Sequence, residues 1–552
     1  MDELNETTRD FEGVSKETLL SIIEDNKDTE LGVKFGFPKI REVSDFLDNM
    51  PLTTYEDYRD YIERELAGEK NLITTYPIKY FMQSSGTTGT SKFIPMTEQG
   101  IRNYARYSYE YAYENIRRFY DKSLDQKDVL REGRILLINE IRYRRLNDRF
   151  KCGIVSSAMF EWLREKGQMD FSRYSSPAEV LFPTEEMDMN YMKLRFALEA
   201  CDIVAIEGVY VHQILNLIYY MHNNWQLLVD DIEKGIISDG VQVSAGLKEK
   251  LSAGLKPNPE RAAELRTEFE KGFDEPIVPR IWKNIKFIMG ISGGAFNKYM
   301  ERLKGYIGRV PYHYFIYAAS EGIYGPALQV DRPDNYILAP KLGYFEFIPV
   351  NALDDPVKDI KDSIIQSSDL SVGEKYELVY TGFSGFYRYR TGDVLEIVGY
   401  YNHAPIIKFC YRSKQTVNIA GEKMDMASIA DVVEKFRQQY ALSGSDFCVY
   451  MDTDVIPARY NVLIETDGEV SAPASEYNRT IDDMFKEINL DYEDCRGLGE
   501  IGPAVVNYLE MGTFEAYRQY LMDDGKEVGQ FKPVRILDDR FKKDFFFAHV
   551  KR

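Results

Sequence analysis

Short apolar runs that alternate with helix-like stretches constrain the fold of this 552-residue chain more than any other feature. The runs "GRILLIN", "CDIVAIEG" and "NIKFIMGISGGA" have the length of buried strands and are separated by helical stretches. This order is typical of an α/β core, in which helices cover a sheet. The most apolar long stretch, "IVAIEGVYVHQILNLIYYM", contains Glu207, His212 and Gln213. We therefore interpret it as a strand and a buried helix, not as a membrane span.

A strand-rich block and a second alternating region follow the core. The block comprises "YFEFIPV", "EKYELVYTG", "FYRYRTGDVLEIVGYY" and "APIIKFCYR". After about residue 412, "DMASIADVVEKFRQQYAL" and "SEYNRTIDDMFKEINLDYED" read as helices, and "DFCVYMD" and "ARYNVLIETD" as paired strands. We predict an N-terminal domain over residues 1–412 and a smaller α+β domain, of ordinary domain size, over residues 413–552.

The segments before the core are predicted to be mainly helical. The first 80 residues are polar and helix-like, and "NLITTYPIKYF" at their end predicts a strand. "EQGIRNYARYSYEYAYENIRRFYD" predicts one long amphipathic helix, because Tyr104, Tyr107 and Tyr111 recur near helical spacing. A packed helix face is the simpler interpretation of these tyrosines, and a substrate pocket at one end of the helix is the alternative.

Composition excludes several classes of function. The net charge of −20 disfavours nonspecific binding of nucleic acid or of an anionic membrane. The five cysteines are scattered without a C-x-x-C pair, which favours reduced thiols over disulfides or a zinc site. The start "MDELNETTRDFEG" lacks the order of a signal peptide, so we expect a cytoplasmic protein. No feature of the sequence predicts the oligomeric state.

One loop has the composition of an anion-binding site. In "QSSGTTGTSKFIPMT", residues 83–97, six hydroxyl side chains and two glycines precede Lys92 between two apolar runs. The glycines permit backbone N–H groups to turn toward one point, and Lys92 adds a positive charge. A solvated linker is the alternative. The loop is not a Walker A motif, because Ser91 and Phe93 stand where that motif has glycine and a hydroxyl residue.

Three later stretches suit a nucleotide. "ISGGAFNKY" at 291–299 is a strand end that runs into a glycine turn, where a flat base can approach the backbone. "YAASEG" at 317–322 offers an aromatic ring, a hydroxyl and a carboxylate. "YRYRTGDVLEI" at 387–397 places Asp393 in a predicted turn between strands, where a carboxylate suits the hydroxyls of a ribose. Each stretch alone also fits an ordinary surface or turn.

In this order the motifs resemble those of the adenylate-forming superfamily, which includes acyl-CoA synthetases, adenylation domains and luciferases. Within it the chain is most similar to the GH3 acyl-acid amido synthetases, through "SSGTTGTSK" followed by "FIPMT", "YFEFIP", "YRTGD" and "GQFKPVRIL". The landmarks extend from residue 84 to residue 537. The resemblance implies an α/β fold with sheets flanked by helices, a β-barrel-like subdomain and a smaller, mobile C-terminal domain.

The resemblance also implies a role for each matching residue. The residues implied to bind the phosphates of ATP are Ser84, Ser85, Gly86, Thr87 and Thr88, and Lys92 closes the loop. Adenine contacts fall to Gly293, Gly294, Ala295, Tyr317 and Ala318, with Tyr317 stacked on the base. Ser320 is implied at the α-phosphate, Glu321 at Mg²⁺, Asp393 at the ribose, and Arg412 at ribose or phosphate. Lys532 is the implied catalytic lysine of the C-terminal domain.

Two departures from the family pattern affect this assignment. The second alanine of "YAASE" stands where the plant members often have serine, which removes one hydroxyl. Lys526 in "DDGKEVGQ" competes with Lys532, which we prefer because of its Gln-Phe-Lys-Pro context.

The implied reaction is ATP-dependent activation of a carboxylic acid as an acyl adenylate, followed by transfer to an amine, for which we expect an amino acid. Coenzyme A as acceptor is the alternative within enzymes, and a nucleotide-binding homologue without catalysis is the alternative outside them. The expected partners are therefore small molecules, without nucleic acid or membrane. The acid pocket is expected between the tyrosine-rich helix and the strands near residues 203–212 and 317–324, and its aromatic lining suits an aryl or medium-chain acid.

Overall fold

The computed structural model describes residues 2–84, 92–120, 133–292, 297–330, 335–353, 360–412, 416–442, 446–466, 473–523 and 534–551. The chain forms two compact units. The first unit comprises Met1–Gln83 and Phe93–Ser413, and most of the second lies in Lys414–Arg552. The roles that the sequence predicts for the two domains stay predictions.

The first unit is built from helices α1 to α16 and strands β1 to β15. The helices are α1 (Asp2–Thr7), α2 (Phe11–Asp25), α3 (Glu30–Lys34), α4 (Val43–Asn49), α5 (Arg59–Ala67), α6 (Glu98–Tyr104), α7 (Tyr111–Tyr120), α8 (Val155–Glu165), α9 (Ala178–Leu181), α10 (Met189–Glu199), α11 (Val211–Lys234), α12 (Ala245–Ser252), α13 (Pro259–Glu270), α14 (Val278–Ile281), α15 (Asn297–Ile307) and α16 (Val350–Leu353). The strands are β1 (Ile78–Ser84), β2 (Lys92–Thr97), β3 (Arg134–Leu137), β4 (Arg144–Arg145), β5 (Lys151–Gly153), β6 (Ile203–Tyr210), β7 (Phe287–Ile291), β8 (Tyr312–Tyr314), β9 (Ile316–Ala318), β10 (Ile323–Pro326), β11 (Tyr336–Ile337), β12 (Gly343–Pro349), β13 (Lys375–Gly382), β14 (Tyr389–Tyr401) and β15 (Ala404–Arg412).

The predicted α/β core is present as a parallel sheet. Its strand order is β3-β6-β7-β8, and each neighbouring pair is parallel. The strand and helix predicted from "IVAIEGVYVHQILNLIYYM" are β6 and α11, and both are largely buried. A second sheet has the order β2-β1-β5-β4, so the candidate phosphate loop joins its two neighbouring strands β1 and β2. Only the second half of "NLITTYPIKYF" is strand, because β1 begins after Pro77.

The tyrosine-rich segment is helical from Glu98 to Tyr120, as predicted, but it is not a uniform α-helix. A π-helical turn, Ala105–Glu110, separates α6 from α7. The Thr97 side chain caps α6 by accepting a hydrogen bond from the Gly100 N–H at 3.1 Å. Such π-turns are rare and occur frequently at functional sites.

The predicted strand-rich block forms a five-stranded antiparallel sheet in the order β11-β15-β14-β13-β12. Strands β12 and β13 are buried along almost their whole length, whereas β14 alternates in part between buried and half-buried residues. Among the strands that the structure describes, β11 and β12 lie at the two edges. A barrel-like closure of this subdomain is therefore not confirmed.

The second unit has the α+β composition that the sequence predicts. It contains β16 (Thr416–Val417), β17 (Met424–Asp425), α17 (Met426–Tyr440), β18 (Phe447–Asp452), β19 (Arg459–Glu465), α18 (Ala474–Ile488), α19 (Leu490–Gly497), β20 (Val505–Leu509), α20 (Thr513–Asp523) and α21 (Arg540–Ala548). The sheet β18-β19-β20 combines an antiparallel and a parallel pair. The predicted single helix over "SEYNRTIDDMFKEINLDYED" is two helices, because the Asn489 side chain accepts from the Tyr492 N–H and starts α19.

No helix in the described part of the chain is long and apolar enough to cross a membrane.

Candidate active site

The turn between β9 and β10 carries Ser320 and Glu321. Reciprocal backbone hydrogen bonds close it, from the Ala319 N–H to the Gly322 carbonyl at 2.8 Å and from the Gly322 N–H to the Ala319 carbonyl at 3.3 Å. A Cβ at Gly322 would lie 2.3 Å from the Tyr380 ring, so only glycine fits against this ring. The tight turn fixes the position of Glu321, which is 6% exposed.

Glu321 has one satisfied and one unsatisfied carboxylate oxygen. Its Oε1 accepts a hydrogen bond from the Tyr389 hydroxyl at 3.3 Å, and its backbone carbonyl accepts from Ser384 Oγ at 2.8 Å. Its Oε2 is buried and has no hydrogen-bond partner among the described residues. A buried polar atom without a partner costs about 1–3 kcal/mol, and a bound cation would remove this cost. No group of three or more His, Cys, Asp or Glu side chains in the described part of the chain could hold a metal ion by itself.

Asp393 lies within β14 and not in a turn between strands, which corrects the expectation from the sequence. Val379 pairs with Arg390, and Glu377 pairs with Val394. Residues 391–393 of β14 therefore lie opposite the single residue Leu378 of β13. Thr391 holds this β-bulge, because its hydroxyl donates to the Leu378 carbonyl at 2.8 Å and accepts from the Asp393 N–H at 3.1 Å. Bulges redirect side chains and are common beside active sites.

Two hydrogen bonds join the β9–β10 hairpin to β14. The Tyr317 hydroxyl donates to Asp393 Oδ2 at 2.8 Å, and the Tyr389 hydroxyl donates to Glu321. The Asp393 carboxylate of β14 thus accepts a hydrogen bond from a tyrosine of the hairpin, and the Glu321 carboxylate of the hairpin accepts one from a tyrosine of β14. In the β14–β15 ladder the backbone of Asp393 pairs with the backbone of Arg412. This pairing places the backbone of a third candidate residue beside Asp393. The structure therefore brings together residues from three separate sequence motifs.

The Tyr317 ring belongs to an aromatic cluster. It is 7% exposed, and its centroid lies 5.0 Å from that of Tyr324, 5.8 Å from that of Tyr336 and 6.3 Å from that of Phe409. Its predicted stacking on adenine stays a prediction.

Two ion pairs brace the strands that carry the site. Arg388 makes a bidentate pair with Glu346 at 2.8 and 3.0 Å, and both side chains are buried. Arg390 pairs with Glu377 at 2.7 Å. The "YFEFIP" motif therefore contributes the structural partner of the first arginine in "YRYRTGD". Paired charges inside apolar strands were the sequence signal for this contact, but the sequence does not show which carboxylate meets which arginine.

Several candidates fall outside the described residues, namely Ser85, Gly86, Thr87, Thr88, Gly293, Gly294, Ala295, Lys532 and its competitor Lys526. For Ser84 and Arg412 the structure describes the backbone, at the ends of β1 and β15, and not the side chain. Lys92 begins β2, and the neighbouring Phe93 N–H donates to the Tyr55 hydroxyl at 3.0 Å. Ala318 ends β9, and Ser320 is partly buried.

The sequence did not identify one buried pair near the expected acid pocket. Glu207 of β6 is 2% exposed, and its Oε1 accepts a hydrogen bond from the Tyr113 hydroxyl of α7 at 2.6 Å. Burial raises the pKa of the Glu207 carboxyl to about 7, and the bond from Tyr113 opposes this shift. A single acidic residue within the strand "IVAIEGVY" was the signal that could have revealed the pair, since a buried charge needs a partner.

Comparison with solved structures defines the class of protein. The fold is similar to that of a 2-hydroxyisobutyryl-CoA ligase in complex with its acyl-AMP and CoA, with a TM-score of 0.51 over 98% of this chain and 92% of that chain at 12% identity. The two proteins therefore share a fold. A greater similarity, with a TM-score of 0.65 at 25% identity over 100% of this chain and 95% of the other, is to the GH3.15 acyl acid amido synthetase.

Sequence comparison identifies the family. The chain matches the models of the GH3 family N-terminal domain over residues 1–312, the central domain over 336–412 and the C-terminal domain over 427–540. It is 28% identical to the indole-3-acetic acid-amido synthetase GH3.3 of Arabidopsis thaliana, over 97% of this chain and 91% of that protein. It is 29% identical to the jasmonoyl–L-amino acid synthetase GH3.5 of Oryza sativa subsp. japonica, over 98% of this chain and 94% of that protein. The chain belongs to the GH3 family.

Proposed function

We propose that this protein is an AMP-forming ligase that activates a carboxylic acid with ATP and joins it to an amino acid. The observation that carries the proposal is the pair of hydrogen bonds between the β9–β10 hairpin and β14, from Tyr317 to Asp393 and from Tyr389 to Glu321. These bonds hold two carboxylates from distant motifs at fixed positions in one site. Family membership over nearly the whole chain supports the same reaction, since the named relatives are amido synthetases.

In the first half-reaction an oxygen of the substrate carboxylate attacks the α-phosphorus of ATP. The bond from this phosphorus to the oxygen that bridges to the β-phosphate breaks, and pyrophosphate leaves. The chain contributes position and charge: the loop residues 84–88 and Lys92 bind phosphates, Ser320 contacts the α-phosphate, and Asp393 and Arg412 hold the ribose. Lys532 supplies a positive charge at the carboxylate and the α-phosphate. Such preorganised donors act where negative charge develops.

Glu321 fits a magnesium ion, because its buried Oε2 has no partner among the described residues. Mg²⁺ is typically held by one or two carboxylates together with substrate phosphates, so a single protein ligand is sufficient beside ATP. When bound, Mg²⁺ would neutralise phosphate charge. The hydrogen bond from Tyr389 orients the Glu321 carboxylate for this contact.

In the second half-reaction the amine nitrogen attacks the acyl carbon. The bond from this carbon to the phosphate oxygen breaks, AMP leaves, and the amine loses a proton to solvent or to a base. The acceptor is proposed to be an amino acid because the relatives are named for amino acid conjugation. We place the protein in the cytoplasm, which its five cysteines support because none of them is in a disulfide.

The test is pyrophosphate release from ATP and Mg²⁺ with a panel of aryl and aliphatic acids. Each acid is supplied alone, with mixed amino acids, and with coenzyme A. We expect multiple turnovers only with amino acids, and mass spectrometry then identifies the amide. Stimulation by coenzyme A alone would make the protein an acyl-CoA ligase, and no release with any acid would contradict acid activation.

A further inference from the structure

The motif "FIPMT" ends on a buried threonine whose hydroxyl makes two hydrogen bonds. Thr97 is the last residue of β2. Its Oγ1 accepts from the Gly100 N–H at 3.1 Å, which caps α6, and donates to the Phe383 carbonyl at 3.1 Å. A hydroxyl has one proton to donate, and Thr97 directs it to Phe383. Capping of α6 needs only the acceptor oxygen, so the bond to Phe383 serves a separate contact.

Phe383 and Ser384, which we call the 383–384 segment, follow β13. This strand ends at Gly382, whose N–H donates to the Phe386 carbonyl at 3.1 Å and closes a turn around the segment. Ser384 donates from its Oγ to the backbone carbonyl of Glu321 at 2.8 Å. The 383–384 segment therefore receives a hydrogen bond from Thr97 and donates one to the residue that carries the candidate metal-binding carboxylate.

Two successive hydrogen bonds thus connect Thr97 with the backbone of Glu321. The Phe383 carbonyl and the Ser384 nitrogen belong to one peptide unit, which is planar and rigid. A shift of this carbonyl therefore also moves Ser384. The side chain of Glu321 accepts from the Tyr389 hydroxyl at 3.3 Å, which is long for a hydrogen bond between oxygens. The backbone restraint is consequently important for where the carboxylate lies.

We propose that Thr97 is a positioning residue that fixes Glu321, through the 383–384 segment, for contact with Mg²⁺ and the phosphates of ATP. The inference rests on the proposed function for the role of Glu321, whereas the path from Thr97 is a property of the described chain. A misplacement of about 1 Å at a reacting group costs about a hundredfold in rate. Loss of this distant hydroxyl should therefore lower the rate of adenylation.

The test compares Thr97→Val, which removes both hydroxyl bonds, with Thr97→Ser, which keeps them. Pyrophosphate release by the full chain is measured against Mg²⁺ concentration, with the acid and amino acid that the panel identifies. We expect Thr97→Val to lower kcat roughly tenfold and to raise the Mg²⁺ concentration at half-maximal rate roughly threefold to tenfold. Thr97→Ser should stay within about twofold of wild type, because a serine hydroxyl makes the same bonds.

Ser384→Ala removes the second bond of the path and leaves the cap of α6 intact. It should reproduce the lower kcat and the higher Mg²⁺ requirement of Thr97→Val. The double variant should be little worse than either single variant, because both substitutions break the same path and their effects are then not additive. If Thr97→Val fails to fold, Ser384→Ala still decides the question.

Thr29→Val provides the matched control. Thr29 and Thr97 are both 0% exposed. The Thr29 hydroxyl accepts from the Gly32 N–H at 2.9 Å as the N-cap of α3 and donates to the Asn26 carbonyl at 2.7 Å. The same substitution therefore removes the same two kinds of bond elsewhere in the first unit. It should lower the thermal midpoint as Thr97→Val does but keep the wild-type rate and Mg²⁺ dependence.

A second measurement requires no turnover. Hydrogen exchange of the ligand-free full chain, followed by mass spectrometry, reports on residues 319–322, where the Ala319 and Gly322 N–H groups close the turn that carries Glu321. We expect Thr97→Val and Ser384→Ala to raise exchange in this turn at least about threefold, because its restraint is lost. Thr29→Val should leave exchange there unchanged.

The outcomes separate this inference from the proposed function. A wild-type rate and Mg²⁺ dependence in Thr97→Val overturn the inference and leave the ligase function intact, and so does an equal loss of rate in Thr29→Val. Absence of pyrophosphate release from the wild-type chain with every acid contradicts the ligase function. Hydrogen exchange then decides the inference: raised exchange at residues 319–322 in Thr97→Val supports the path to Glu321, and unchanged exchange overturns it.

Discussion

Glu321 combines a fixed position with an unsatisfied charge. The tight β9–β10 turn and Tyr389 hold its carboxylate, and its buried Oε2 has no partner among the described residues. Glu321→Gln keeps the shape and the contact with Tyr389 but removes the charge. We expect pyrophosphate release to fall at least about a hundredfold, because an electrostatic contact in the transition state is lost. The thermal midpoint should stay unchanged or rise. The measurement is the initial rate as a function of Mg²⁺ concentration.

The control for this substitution is Glu374→Gln, at an exposed position of the same unit. It should retain the wild-type rate and Mg²⁺ dependence. A Glu321→Gln enzyme with a normal rate and an unchanged Mg²⁺ requirement would exclude Glu321 as the metal-binding residue.

His313 in β8 predicts a pH dependence of stability. It is 0% exposed, and neither ring nitrogen has a partner among the described residues. Burial lowers its pKa from 6.5 to about 4, so between these values the unfolded chain binds more protons than the folded one. The contribution of His313 to the free energy of unfolding is therefore complete above pH 6.5. It falls by about 1.4 kcal/mol per pH unit as the pH drops from 6.5 toward 4.

The measurement is the free energy of unfolding from urea titrations at several pH values. His313→Phe should remove this contribution and flatten the loss on acidification, relative to wild type. His403→Phe, at an exposed histidine, is the control for replacing an imidazole outside the core. Identical profiles for wild type and His313→Phe would show that His313 does not titrate with the expected shift.

At the scale of the residue, the sequence nominated site residues, but it did not predict the contacts between them. The resemblance of "YAASEG" and "YRTGD" to family motifs nominated Tyr317, Glu321 and Asp393, whose roles stay predictions. The hydrogen bond from Tyr317 to Asp393 spans 76 positions of the chain, and no local pattern encodes it. Asp393 was expected in a turn between strands. Instead, the Thr391 hydroxyl bonds to the Leu378 carbonyl and to the Asp393 N–H within the bulge, and β14 continues through it.

At the scale of the element, the Arg388–Glu346 pair joins the residue that precedes β14 to strand β12. Arg388 has a positive φ of 46°, and its guanidinium also donates to the carbonyls of Leu47 and Met50 at 3.0 and 2.8 Å. Glu346→Leu leaves this buried arginine without its counter-charge. We expect a loss of about 3–5 kcal/mol in the free energy of unfolding, which denaturant titration measures.

Two further variants complete this test. The double variant Glu346→Leu/Arg388→Met should recover much of the loss, because no charge then remains buried. Asp239→Asn, which breaks the exposed pair with Lys248, should cost less than about 1 kcal/mol. If Glu346→Leu also costs less than about 1 kcal/mol, then Glu346 of "YFEFIP" does not stabilise the strands that carry the site.

Elements were predictable where one physical pattern dominates. Strands β12 to β15 of the five-stranded sheet follow from four successive strand-like runs, and β6 with α11 from the apolar stretch "IVAIEGVYVHQILNLIYYM". The π-turn Ala105–Glu110 was not predictable, because one extra residue in a helix leaves the spacing of Tyr104 and Tyr111 nearly helical. The break at Asn489 had a signal, since asparagine is a preferred helix N-cap, but its pairing with Tyr492 requires the fold.

At the scale of the whole molecule, we propose that Lys532 supplies the positive charge that the adenylation step needs at the carboxylate and the α-phosphate. Lys532→Ala should lower pyrophosphate release at least about a hundredfold, because a positive charge at the carboxylate and the α-phosphate is lost. ATP binding, measured by calorimetry, should change little, since the other phosphate and ribose contacts remain. Aminolysis of a chemically prepared acyl adenylate should also persist, because that step forms no pyrophosphate.

Lys526→Ala is the matched control, since this lysine lies six positions earlier in the same glycine-containing segment. It should retain pyrophosphate release and aminolysis. If Lys526→Ala abolishes pyrophosphate release and Lys532→Ala does not, the catalytic role belongs to Lys526. If both variants keep the wild-type rate, the adenylation step needs no lysine from this segment.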